Sequence, residues 1–145
     1  MEKTYSNILV TVQFMAIALM AATGPWLADR WYLLAVELLG VALGIYAIKV
    51  MRIGNFNVRP IVKEQGQLIT HGPYRFIRHP MYMAIMLTLT PLLIDFFSWF
   101  RLGVMLVLLF NLIIKQLFEE GLLKAHFPSY EEYMKHTHRM IPFIF

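Results

Sequence analysis

Apolar residues in this chain gather into long blocks, not into the single stripes of helices that float on a soluble core. From Asn7 to Ala28 no residue is charged. A second block runs from Trp31 to Met51 and is interrupted only by Glu37 and Lys49. A third begins at Pro80 and ends near Phe97, and a fourth covers about 102–118. A helix needs roughly 17–25 residues to cross the hydrocarbon of a bilayer. The pattern therefore predicts an all-α integral membrane protein with about four transmembrane helices over 7–28, 31–51, 80–97 and 102–118. The first block exceeds the roughly 7–15 apolar residues of a cleaved leader and is read as a span. Only Ser98–Arg101 separates the last two, so they should form a tight antiparallel hairpin.

Composition agrees with this class. Of 145 residues, 59% are hydrophobic and 15% charged, with a mean hydropathy of +0.58. Soluble domains carry about a quarter charged residues. The length fits one membrane domain, 1–145. The formal charge of +4 is explained by basic residues beside the spans, so no nucleic-acid partner is implied. With both termini cytoplasmic, Arg30 and Arg101 fall outside and the other 11 of the 13 basic residues fall inside, as the positive-inside rule asks. The chain has no cysteine, which removes disulfides, thiolate metal sites and a cysteine nucleophile. Its histidines lie in loops or the tail, which argues against a metal site.

Within the spans, Gly40 and Gly44 form a Gly-x-x-x-Gly pair that lets another helix approach closely. The neighbour is either a helix of the same chain or, in a homodimer, a second copy. Pro91 is expected to kink the third span. Glu37, at membrane depth, is expected to snorkel or to pair with Arg30.

Polar chemistry collects at one interface. The stretch 52–79 is too long for a turn and is punctuated by Gly54, Pro60, Gly66, Gly72 and Pro73, which marks irregular backbone; Gln67–Thr70 alternates weakly and has the pattern of an extended segment. Pro80 suits the first helical position, with His79 at the cap. Free N–H groups there, reinforced by Arg75 and Arg78, would favour an anion. Asn111, Lys115 and Glu119 recur every four residues on one helix face, so Lys115 and Glu119 are placed to pair. Glu120 adds a second acid where the helix leaves the bilayer. Ser129 and Glu132 have capping-box spacing and predict a short interfacial helix, with Tyr130 and Tyr133 on one face of it. The tail Ile141–Phe145 is apolar enough to return to the membrane.

Taken together, the run from Gly66 to Tyr82, which includes Arg78-His79-Pro80-Met81-Tyr82, then Glu119-Glu120, Tyr130-x-x-Tyr133 and Arg139-x-x-Pro142, resembles the isoprenylcysteine carboxyl methyltransferase family. Related membrane phospholipid methyltransferases share the general pattern. The resemblance covers about 54–145; the first two spans match in hydropathy alone. It implies S-adenosylmethionine as methyl donor, leaving S-adenosylhomocysteine, in a cytoplasmic-side pocket without a Rossmann sheet. Cofactor contacts would fall on Gln67, Leu68, Ile69, Tyr74, His79, Pro80, Met81, Tyr82, Glu119 and Glu120. Arg139 would belong to the catalytic set. So would the basic residue four positions before the glutamate, which orients the acceptor carboxylate; it is an arginine in the family and Lys115 here. The acceptor would be a lipophilic molecule from the bilayer carrying a carboxylate, or alternatively a lipid amine. A small transporter or assembly subunit of the same size would instead carry charges at midplane lining a path.

Overall fold

The computed structural model describes residues 2–51 and 68–141. They form α1 (Glu2–Ala22), α2 (Trp31–Met51), a 3-10 turn over Gly72–Arg75, α3 (Pro80–Asp95), α4 (Trp99–His126) and α5 (Tyr130–Lys135). Among the described residues the one sheet-like element is a bridge between Ile77 and His138. Most of the expected cofactor loop, 52–67, lies outside the described residues, and so do Gln67 and Pro142–Phe145. Leu68–Thr70 has no regular structure.

The chain is an all-helical, multi-pass membrane protein. Three helices are long and apolar enough to cross a bilayer: Lys3–Ala22, Trp31–Met51 and Trp99–His126. The fourth apolar helix, Pro80–Asp95, has 16 residues, a rise of about 24 Å at 1.5 Å per residue. The side chains of Trp26, Trp31 and Trp99 are at least three-quarters exposed, as expected of aromatic anchors at an interface.

The helix ends differ from the sequence expectation in physically explicable ways. α1 stops at Ala22, not at Ala28, because Gly24 and Pro25 follow, a pair poorly suited to continuing a helix. Thr23 Oγ1 donates to the Leu19 carbonyl at 2.7 Å and Trp26 Nε1 to the Ala21 carbonyl at 2.9 Å, closing the helix end. α4 begins at a cap, Ser98 Oγ accepting from the Arg101 amide at 3.1 Å. It runs on past 118 to His126, so Glu119 and Glu120 sit on regular helix. Glu37 does not pair with Arg30. Its carboxylate accepts from the Ala28 amide at 3.0 Å, while Arg30 pairs with Asp95 at 3.2 Å. Asp95 also accepts from the amides of Asp29 and Arg30, tying the end of α3 to the α1–α2 connection.

Packing is by antiparallel pairs. α2 lies along α3, and α1 along α4; α3 and α4 meet more sparsely than the expected hairpin implies. A Cβ on Gly40 would stand 2.7 Å from the Thr88 amide, and one on Gly44 would meet Ala84 Cβ at 3.4 Å. The glycine face is thus covered by α3 of the same chain. In the other pair Tyr5 meets Phe118 edge-on at 5.3 Å, and Gly24 lies against the Arg101 guanidinium. The start of α1 therefore stands at the same end of the bundle as Glu119 and Glu120.

Candidate functional site

The loop entering α3 and the acids leaving α4 come together. The Tyr82 hydroxyl donates to Glu119 Oε1 at 2.6 Å. His79 sits between the acids, Nδ1 at 3.4 Å from Glu119 and Nε2 at 3.5 Å from Glu120. Its ring stacks on Tyr82, centroids 5.4 Å apart and nearly parallel. Burial disfavours a charged His79, but hydrogen bonds to Glu119 and Glu120 outweigh it and raise its pKa above the ordinary value.

Adjacent positions on a helix diverge by about 100°, and the two acids divide their work accordingly. Glu119 faces Tyr82 and His79. Glu120 is buried and receives Arg78 Nε at 2.8 Å and Arg139 Nε at 3.1 Å. Arg78 also donates to the carbonyls of Met134 and Thr137. The Arg78 and His79 amides donate to the His138 and Arg139 carbonyls at 2.8 and 2.9 Å, and the His138 amide to Phe76 at 3.0 Å. The segment after α5 is thereby stitched to the strand-like entry of α3.

This geometry revises three expectations. Arg78 does not reinforce an anion cradle at the start of α3; it is spent on Glu120, and Arg75 is exposed. The cradle itself is thin. Pro80 has no N–H, and the amides of Tyr82 and Met83 donate to the His79 carbonyl. The expected Lys115–Glu119 pair does not form: the buried Lys115 ammonium donates to Gln13 Oε1 of α1 at 2.7 Å and lies 5.1 Å from the centre of the Tyr82 ring. Likewise the short helix α5 forms without its capping box. Ser129 has helical dihedrals and makes no side-chain cap bond, whereas Glu132 binds Lys135 and His136.

Tyr74 is buried, its hydroxyl has no partner among the described residues, and its carbonyl accepts from the Tyr133 hydroxyl at 2.6 Å. Burial raises the phenol pKa of Tyr74, Tyr130 and Tyr133, so all three stay neutral. Leu68, Ile69 and Met81 are half-buried and Pro80 is buried beside this cluster in sequence. Sequence reading missed Gln13 and Thr137. A polar residue such as Gln13 inside an uncharged span is the one signal that pointed there.

A model of the phospholipid methyltransferase family matches residues 29–129. The chain belongs to the phospholipid methyltransferase family. Two rice proteins, from Oryza sativa subsp. indica and subsp. japonica, are similar to it over nearly its whole length. Each is named a probable protein-S-isoprenylcysteine O-methyltransferase and is 28% identical over 156 residues, covering 97% of this chain and 82% of the relative. The family match takes in the whole of α2, α3 and α4, and with them the residues from His79 to Tyr82 and both acids. It leaves out α1 and α5.

Proposed function

We propose that this chain is a membrane methyltransferase that uses S-adenosylmethionine to methylate the carboxylate of a lipophilic acceptor, isoprenylcysteine-like in character. The observation that carries the reading is the meeting of Tyr82, His79 and Glu119 beside the Lys115 ammonium. The residues fit the cofactor. Glu119 is a partly exposed carboxylate suited to an ammonium or ribose hydroxyls. The buried Tyr74 hydroxyl has no partner among the described residues and so is a polar atom that a ligand could satisfy. The Tyr82 ring already draws one cation to it, as a sulfonium would require. Gln67, Leu68, Ile69, Pro80 and Met81 complete the proposed set, with Glu120 and Arg139 acting by holding the tail against it.

S-adenosylmethionine supplies a methyl group that passes to a carboxylate oxygen, the electron pair of the broken carbon–sulfur bond remaining on sulfur. A carboxylate needs no general base. The protein's task is alignment, for which holding two reactants in line can lower a barrier by roughly 7–11 kcal/mol. Lys115 orients the acceptor carboxylate, and the apolar surroundings exclude water.

A lipid amine is the second reading, favoured by the family's description as phospholipid methyltransferases. The buried Lys115 charge weighs against it, because it repels an ammonium headgroup and attracts a carboxylate. We further propose four spans, with α3 as the third, and both termini cytoplasmic. The distribution of basic residues along the sequence supports that sidedness, since all but Arg30 and Arg101 fall in the segments assigned to the cytoplasmic side. Purified protein given labelled cofactor and native membranes tests the reading. A base-labile methyl product is expected, a base-stable one would favour the amine, and unchanged cofactor affinity in both Tyr82→Ala and Glu119→Ala would remove the site assignment.

A further inference from the structure

Lys115 stands where the resembled family carries an arginine, and a lysine lacks the planar pair of donors that grips both oxygens of a carboxylate. The bundle supplies a second donor from another helix. Lys115 Nζ donates to Gln13 Oε1 at 2.7 Å, and this fixes which end of the Gln13 amide is oxygen, since an ammonium only donates. The Gln13 Nε2 group is thereby turned away from the ammonium but held beside it. It has no partner among the described residues. Among the described residues Lys115 likewise has one hydrogen-bond acceptor for its three N–H groups, with the Tyr82 ring as its other close contact. Both residues are more than nine-tenths buried, so an acceptor group that reaches their N–H groups meets little competition from water. A second hydrogen bond steadies the arrangement: Asn111 Nδ2 donates to the Leu9 carbonyl at 3.0 Å, locking α1 against α4 one turn away.

We propose that Gln13 and Lys115 together form the acceptor-carboxylate clamp, the amide N–H and the ammonium each taking one oxygen. This rests on the carboxylate reading above and deepens it. Gln13 lies outside the matched region 29–129, so α1 completes the site and is more than an anchor. The specificity that follows is for a free carboxylate on a lipophilic carrier; esters and amides, with one oxygen blocked, are refused.

The test uses the full chain in detergent, with an N-acylated S-isoprenyl cysteine as acceptor. Wild type must first yield a base-labile methyl product; a base-stable product sinks the carboxylate reading and the clamp with it. Given an ester, Gln13→Leu is expected to raise the acceptor KM by roughly 10- to 100-fold, the range of one hydrogen bond to a charged group, while cofactor binding stays within about twofold of wild type. Gln13→Leu is then repeated in a Lys115→Arg background, where the guanidinium supplies both donors itself. There the Gln13 loss should shrink to less than about threefold. An unchanged KM in Gln13→Leu, or an equal loss in both backgrounds, overturns the clamp and leaves the methyltransferase reading standing. Cofactor binding lost along with acceptor binding in Gln13→Leu would assign the residue to folding and overturn it too.

Discussion

The two helix pairs of this bundle are held together by opposite means. α2 and α3 pack dry, backbone against backbone, where Gly40 admits Thr88. α1 and α4 are joined by polar side chains, Gln13 to Lys115 and Asn111 to the Leu9 carbonyl. In a bilayer neither contact gains from expelling water, so close packing and hydrogen bonds must do the joining. The dry pair fixes the position of α3, and hence of His79 and Tyr82. The polar pair holds the buried Lys115 ammonium between α1 and α4. The two pairs thus divide the means of holding the bundle, and the cluster of Glu119, Glu120, His79, Arg78 and Arg139 joins them at one end.

The division can be broken at that junction first. Glu120→Ala removes the acceptor of two arginines and leaves the buried Arg78 charge uncompensated, which should cost about 3–5 kcal/mol. Unfolding in detergent would show it, and a loss under about 1 kcal/mol would mean that the Glu120–arginine pairs do not hold the tail. In the dry pair, Gly40→Val should cost about 1–3 kcal/mol through overpacking against backbone that cannot yield. Gly44→Ala, meeting only ordinary contact, should stay within about 0.5 kcal/mol. If the two glycine variants melt alike, close approach at Gly40 is not what binds α2 to α3. In the polar pair, Asn111→Leu should cost about 1 kcal/mol, since membrane hydrogen bonds are individually modest.

The smallest expected effect is a slope with pH. His79 has a raised pKa in the folded protein, so its ionised form stabilises the fold fully below the unfolded value of about 6.5. That contribution fades as pH rises from there through the folded value. Melting temperatures recorded across the neutral and mildly alkaline range should fall for wild type and fall less for His79→Gln. Equal slopes would deny that His79 is charged between the acids.

Much of this was legible in the sequence because it is written in short-range terms. Charge-free blocks gave the helices, Gly40 and Gly44 marked a close approach, and the spacing of His79, Tyr82 and Glu119 carried the family pattern. What failed depends on partners far away in the chain. The four-residue step from Lys115 to Glu119 suggested a pair on one helix, yet Gln13, 102 residues away, takes the lysine. Arg75 and Arg78 look alike in sequence, and only the placement of Glu120 shows which one turns inward. The end of α1 was misjudged because hydropathy runs on through residues that cannot stay helical.

Under the four-span reading, α3 is some 6 Å shorter than a typical hydrocarbon core of about 30 Å. A short span is accommodated by thinning the lipid around it, at a cost of fractions of a kcal/mol per ångström. The strain falls on the helix whose first turn bears Tyr82, so, on the methyltransferase reading proposed above, membrane thickness itself becomes a variable of turnover, which should rise in thin bilayers and fall in sterol-stiffened ones.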